Sequence, residues 1–356
     1  MSANDVFELI NIDGAVFIDV REPFEFAIEH ISGSHNVPIN SLVATLNANT
    51  MAMLRSCTNQ LVVVLCQRGN RSAEAVKVLQ THAIDAVSLI GGLDEWCASG
   101  FPTQSSSTLT LDQRRRYDRQ IRLKNLGAIG QERLLSSRVA IVGVGGLGSP
   151  VALYLAAAGV GNITIIDNDH VDISNLHRQI LYGDRDLELL KVDVASTSLS
   201  ENNRDTCVTA ICDRVVDENA IDLLQRHDVI VDASDNITTR YAINTAAVSL
   251  NIPVVHGSVF RFEGTVSVFD PPSGPCYECL YPKSPSSAIA PNCAEVGVLG
   301  SVVGIIGSMQ ATEAIKIITE SGEPLVGRLV TYDALYNSLI TYEVARDTSC
   351  PTCSDK

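Results

Sequence analysis

Short apolar runs recur along this chain, and most are followed by a stretch with helical spacing. Ala15–Val20 (AVFIDV) and Leu61–Leu65 (LVVVL) predict buried strands. Ser72–Gln80 has the spacing of an amphipathic helix, and Val87–Ile90 predicts a third short strand. Later, Arg138–Val142, Asn162–Ile166 and Val229–Val231 read as strands. Pro150–Ala158 predicts an apolar, alanine-rich helix, Arg114–Leu126 a helix with a basic start, and Val302–Ile318 another helix. Strands alternating with helices predict an α/β fold class with parallel sheets. Two domains are expected. Residues 1–103 form a small parallel α/β domain and 114–356 a Rossmann-like, doubly wound domain. The polar, serine- and threonine-rich segment 104–113 predicts a flexible linker. Such a linker spans at most ~35 Å.

Composition narrows the classes. The 356 residues are 46% hydrophobic and 19% charged, an ordinary globular balance. A net charge of −15 argues against direct nucleic-acid binding, which needs a basic face. The start of the chain lacks a charged-then-apolar signal, and no sequence run approaches the ~18 apolar residues of a membrane span. The expectation is a cytoplasmic protein with no membrane partner. There, ten cysteines are more readily free, metal-bound or catalytic than disulfide-paired.

The chemistry begins at Arg138–Gly148 (RVAIVGVGGLG). Gly143, Gly145 and Gly148 give G-x-G-x-x-G between a strand and a helix, which brings backbone N–H groups up to a phosphate. Asp167 follows at the distance of a ribose-binding acid. A dehydrogenase fits equally well to this point. Arg178 and Lys191 then supply cations suited to a triphosphate, and Asp235, at the end of the strand in DVIVDASDN, supplies an acid for magnesium.

In the first domain, Cys66 lies at the end of a parallel strand, ahead of a helix, in Cys66-Gln67-Arg68-Gly69-Asn70-Arg71. Backbone N–H groups, the helix dipole and two arginines favour a thiolate there. Asp19 and Arg21 read as a buried ion pair or strand-end cap. The segments Ile18–Ile39, Cys66–Arg71 and Leu89–Pro102 resemble a rhodanese domain. The resemblance implies that Cys66 carries a persulfide. A six-residue loop from cysteine to arginine is the sulfur-transfer length, whereas related phosphatases use seven.

From Arg116 onward the chain resembles the ubiquitin-activating-enzyme-like adenylyltransferases that charge sulfur carriers, nearest to the molybdopterin-synthase and thiamine types. The matching pieces are RYDRQI (Arg116–Ile121), GVGGLGSP (Gly143–Pro150), YLAAAGVGNITIID (Tyr154–Asp167), SNLHRQ (Ser174–Gln179), DASDN (Asp232–Asn236), CYECL (Cys276–Leu280), NCAEVGVLG (Asn292–Gly300) and CPTC (Cys350–Cys353). The resemblance implies an ATP site lined by Gly145, Gly146, Asp167, Ser174, Asn175, Leu176, His177, Arg178, Lys191, Asp235 and Asn236, with magnesium on Asp235. It also implies that Arg119 reaches the phosphates from a neighbouring subunit, hence a homodimer. One departure is Glu188-Leu189-Leu190 before Lys191, where the family often has glycine with proline or serine.

Cys276/Cys279 and Cys350/Cys353 are two C-x-x-C pairs, the pattern of one structural zinc site. Cys293 follows a proline- and serine-rich loop. The matching cysteine in the resembled families forms a thioester or an acyl disulfide, or is dispensable. Cys57, Cys97, Cys207 and Cys212 show no partner spacing and default to packing positions.

Joined, these readings predict an enzyme that uses magnesium and ATP to adenylate the C-terminal Gly-Gly of a small ubiquitin-like sulfur carrier. Cys66 persulfide, loaded by a donor such as a cysteine desulfurase, then yields a thiocarboxylate. Carriers of this kind serve molybdopterin, thiamine, tRNA thiolation and cysteine pathways. In familiar fusions the rhodanese domain follows the adenylating domain, whereas here it precedes it, so delivery across the dimer is open. The competing readings are transthiolation through Cys293 for protein conjugation, an NAD-dependent oxidoreductase with a fused rhodanese domain, and a non-catalytic module that docks a ubiquitin-like partner.

Overall fold

The structure is a computed structural model that describes residues 1–10, 15–44, 60–105, 107–271, 273–282 and 297–354. Chain contacts divide it into two compact units, Met1–Glu132 and Arg133–Lys356.

The first unit is built on a parallel sheet in the order β3-β1-β4-β5. These are His35–Asn36, Ala15–Asp19, Leu61–Leu65 and Ala86–Ser88. A sheet buried on both faces needs strands apolar on both faces, which is why LVVVL is unbroken. Val62 and Val64 pack with Ala75 and Leu79 on one side. Val63 and Leu65 pack with Phe17, Leu89 and Trp96 on the other.

The 104–113 segment is not the free tether expected. Strand β6 (Thr103–Gln104) pairs antiparallel with β2 (His30–Ile31). The Ser105 hydroxyl donates to the Ile28 carbonyl and the Ser107 hydroxyl to Glu132. Thr110 and Gln113 form a capping box on the helix Leu111–Arg116. Side chains that read as merely polar in sequence are here partners of the first unit, so the compact units divide later than 113. The continuous helix expected over Arg114–Leu126 is also broken. It forms two pieces, Leu111–Arg116 and Asp118–Ile121, interrupted at the buried Tyr117.

The second unit contains an eight-stranded sheet in the order β14-β13-β12-β11-β10-β7-β8-β9. Its parallel part comprises β7 (Arg138–Val142), β8 (Asn162–Ile166), β9 (Cys207–Ile211), β10 (Val229–Asp232) and β11 (Val254–Phe260). Strands β12 (Glu263–Phe269), β13 (Arg328–Asp333) and β14 (Ser338–Glu343) extend it antiparallel. A purely doubly wound sheet is therefore only half correct. The connection from Phe260 to Glu263 is too short for a crossover, so β12 must return antiparallel.

Strand β7 lies between β8, which follows it directly, and β10, which arrives from the far side of the order. The crevice where strand order reverses is where open α/β sheets bind ligands. The helix Gly300–Thr319 is long and apolar enough to cross a membrane by composition, contrary to the expectation that no run approaches that length. Here it is a core helix. Val302, Val303 and Ile306 are buried with Leu147 and Val266, and Gln310 donates to the Asp232 carbonyl.

Candidate functional site

In the first unit, Cys66 is held at the end of β4 with 2% of its surface exposed. Its Sγ accepts from the backbone N–H of Gly69 at 3.1 Å and of Ser72 at 3.4 Å, and lies 3.5 Å from the Ser72 hydroxyl. Gly69 takes φ +93° to start the helix Asn70–Thr81. Burial pushes the thiol up. The bonds from Ser72 and the N–H groups of Arg68 and Gly69 outweigh it, so the thiol sits below its ordinary range. The turn beneath is backbone against backbone. A Cβ on Gly92 would meet the Cys66 carbonyl oxygen at 2.2 Å, and Leu93 N–H donates to that oxygen.

The loop arginines are less available than expected. Arg71 makes a two-pronged ion pair with Glu25 at 2.7 Å, and Arg68 points outward toward Asp94 at 3.3 Å. The donors at the sulfur are therefore the backbone N–H groups and the Ser72 hydroxyl. Gln67 accepts from Arg21 and donates to Asp94. Arg21 in turn chelates Asp19, both side chains fully enclosed, which is the ion pair anticipated from sequence. Asn70 opens the helix as its first residue.

In the second unit, a cleft with about 170 Å³ of room opens at the switch point. Gly145, Gly146, Asp167, Arg178, Lys191, Asp235 and Asn236 line it. The turn requires glycine, since a Cβ on Gly148 would overlap the Gly143 carbonyl oxygen at 1.9 Å. Asp167 accepts from the N–H groups of Val144 and Asp169, both at 2.9 Å, which fixes its carboxylate at the cleft rim. Lys191 is buried and ion-paired to Asp169 at 2.8 Å. The Glu188 departure is accommodated by a positive φ of 64°, a conformation glycine adopts more easily, and Lys191 still reaches the cleft. Asn236 caps the helix Ile237–Leu250 by accepting from Thr238 and Thr239 N–H, leaving the exposed Asp235 just ahead of the helix.

Ser174, Asn175, Leu176 and His177 are not among the lining residues. Ser174 and Asn175 act on the guanidinium instead. Arg178 donates to the Ser174 carbonyl at 3.1 Å and to Asn175 Oδ1 at 2.8 Å. Arg119 belongs to the first unit, with a side chain 92% exposed. Sequence reasoning missed Gln179, Arg214 and Arg240, which also line the cleft. Arg214 follows the end of β9, and Arg240 lies one turn into the helix after Asn236, so the strand-end rule could have found them.

The four pair cysteines converge. All four Sγ atoms lie within 4.8 Å of one another. Three of their separations are 3.9 Å (Cys276–Cys279), 3.6 Å (Cys276–Cys350) and 3.5 Å (Cys279–Cys353). Disulfides need about 2.05 Å, whereas a tetrahedron of thiolates around one ion at ~2.3 Å has edges of ~3.8 Å. The donor set fits one metal ion. Asn244 and the Asp347 N–H donate to Cys276 and Cys279 sulfurs, as ligand-orienting groups do.

Cys293 and Cys57 lie outside the described residues. Cys97, Cys207 and Cys212 are exposed, not packing positions. Cys207 starts the edge strand β9, most of whose residues face outward.

Comparison with known proteins matches residues 117–352 to the ThiF family and 2–99 to the rhodanese-like domain. The sulfur carrier protein adenylyltransferase of Thermus thermophilus is 45% identical over 252 residues, 69% of this chain and 93% of its own length. The SAMP-activating enzyme E1 of Haloferax volcanii is 43% identical over 250 residues, 70% of this chain and 92% of its own. The adenylyltransferase and sulfurtransferase MOCS3 of Culex quinquefasciatus is 43% identical over 241 residues, 67% of this chain but 55% of its own length. Among solved structures, Escherichia coli MccB with ATP superposes with a TM-score of 0.61 at 20% identity, covering 80% of this chain and 81% of that one. At that identity the likeness shows the fold alone.

Proposed function

This chain belongs to the ThiF family and carries a rhodanese-like domain ahead of it, and from that premise we propose an ATP-dependent sulfur-carrier adenylyltransferase and sulfurtransferase. The observation that carries the reading is the pairing, in one chain, of a cation-lined cleft around Asp235 with a buried cysteine whose sulfur accepts two backbone N–H bonds. The relatives' names point the same way.

In this reading the carrier's C-terminal glycine carboxylate attacks the α-phosphate of ATP. The bond to pyrophosphate breaks, and Arg178 and Lys191 meet the charge that develops on the departing group. Asp235 would hold magnesium, which supplies further charge neutralisation. Arg119 from a second copy completes the site in a homodimer. Cys66 persulfide then attacks the acyl carbon and AMP leaves, giving an acyl disulfide. A thiol, from Cys293 or an external reductant, attacks the Cys66 sulfur and releases the thiocarboxylate. A second thiol reduces the Cys66 disulfide left by that step. The four cysteines hold one structural zinc. The carrier ends in Gly-Gly, and a cysteine desulfurase or similar donor then reloads the freed Cys66 thiol.

The test is to incubate the zinc-bound protein with ATP, magnesium, a sulfane-sulfur source and candidate carriers, and to weigh the carrier. Replacement of one oxygen by one sulfur is expected. Cys66→Ala should abolish that gain and leave carrier-dependent pyrophosphate exchange intact, while Arg178→Ala should lower exchange by about 10²–10³. Exchange without sulfur gain in the wild type would instead support transthiolation, and absence of exchange with every carrier would remove the adenylation claim.

A further inference from the structure

Strand register places Asp232, the last residue of β10, beside His256 on β11. Both side chains are buried, at 2% and 1% exposure. His256 Nδ1 lies 2.7 Å from Asp232 Oδ2. A carboxylate only accepts, so Nδ1–H donates. The other oxygen, Oδ1, accepts from Ser234 N–H at 3.1 Å and from the Ser234 hydroxyl at 2.6 Å. Asp232 therefore joins the neighbouring strand to the turn that carries Ser234, Asp235 and Asn236 into the cleft. Arg240 supports the same turn by donating to the Ser234 carbonyl at 2.9 Å.

The far side of the imidazole is distinctive. Nε2 has no hydrogen-bond partner among the described residues. His256 lines a small space, about 10 Å³, together with Arg240, Asn244, Phe269 and Tyr277. A packing residue at this position would be apolar, because burying a ring nitrogen without a partner is unfavourable. What ties the ring to its surroundings is Nδ1. It gives the second oxygen of a fully enclosed carboxylate a donor, without which Asp232 would be more costly to keep charged.

We propose that His256 is a positioning residue for the nucleotide cleft: through Asp232 it fixes the Ala233–Asn236 turn, and with it the place of Asp235. This rests on the reading of Asp235 as the magnesium-holding residue. Burial pushes the imidazole below its ordinary range, against the pull of Asp232, which favours the neutral ring. Arg240 and the Tyr277 hydroxyl are the other titratable groups walling the pair.

Three variants of the full chain separate this from a packing role. Asparagine places an amide donor where Nδ1 stands. Glutamine places one nearer Nε2, and leucine offers none. ATP binding is measured by calorimetry with and without magnesium. His256→Leu and His256→Gln should lose about tenfold in affinity with magnesium, roughly one charge-assisted hydrogen bond. They should lose little without it, where the glycine loop, Arg178 and Lys191 do the holding. His256→Asn should bind as wild type does. Equal binding by all variants overturns the proposal, as does an equal loss with and without magnesium. If the leucine variant fails to fold, the asparagine–glutamine contrast decides alone. Wild-type binding of magnesium-ATP with no exchange on any carrier removes the adenylation reading but leaves this test standing. Failure of wild-type protein to bind magnesium-ATP removes both.

Discussion

Replacing Ser72 with alanine isolates the contribution of one hydroxyl to the Cys66 thiolate. Ser72 is fully buried, and its Oγ lies 3.5 Å from Cys66 Sγ, 3.0 Å from the Gly69 carbonyl and 2.8 Å from Ser88 Oγ. One hydroxyl proton cannot serve all three. When Cys66 is ionised, the sulfur is the strongest acceptor and should take it. The N–H bonds from Gly69 and Ser72 belong to the backbone and survive the substitution. A long bond to sulfur is worth about 1 kcal/mol, below the usual value for a charged acceptor. At 1.36 kcal/mol per factor of ten, that is about fivefold in the ionisation equilibrium of the thiol. The sign follows from the charged form losing a donor, so the thiol pKa rises toward its ordinary value. Well below the pKa the thiolate fraction falls about fivefold, and well above it nothing changes. The assay is alkylation rate against pH, followed by mass spectrometry of the Cys66 peptide because Cys97, Cys207 and Cys212 are also exposed to reagent. An unmoved midpoint would falsify the argument, since the hydroxyl would then be donating to Gly69 even beside a thiolate.

Two further outcomes follow from the same kind of reasoning. Asp19→Ala strands the buried Arg21 guanidinium and should destabilise the first unit by about 3–5 kcal/mol. The chain's only tryptophan, Trp96, is buried in that unit's core and reports its unfolding by fluorescence; a loss below about 1 kcal/mol, the scale of exposed pairs, would refute the assignment of a buried pair. Chelation should release about one metal ion per chain from the four cysteines and open the segment leading to Cys350 to protease. Metal content that is unchanged in Cys350→Ser would show that the cluster is not the binding site.

The strands were legible because burial on both faces leaves little freedom in composition. LVVVL and RVAIV were placed to the residue, and the two cysteine pairs converge as their shared spacing suggested. What escaped were features set by partners distant in sequence. The serines of 104–113 gave no sign that Ile28 and Glu132 would engage them. Ser174 and Asn175 look like ligand contacts in a motif, and nothing in that motif showed that both also accept from Arg178. Arg214 and Arg240 stand outside the matched motifs and reach the cleft only through the geometry of strand ends.

The same distinction explains why a glycine fingerprint alone cannot name a nucleotide. Gly143–Gly148 solves a steric problem, bringing backbone near phosphate, that a dinucleotide and ATP pose alike. Discrimination lies in charge placed around it. This cleft gathers Arg178, Lys191, Arg214 and Arg240 against Asp167, Asp169, Asp213 and Asp235. Each cation with a visible acceptor is already engaged: Lys191 with Asp169, Arg178 with Asn175 and Ser174, Arg240 with the Ser234 carbonyl. In the proposed reading, a triphosphate entering here competes with those acceptors for the cations, while Asp167, Asp169, Asp213 and Asp235 oppose its charge, so a metal ion bound with it would be needed to offset that repulsion.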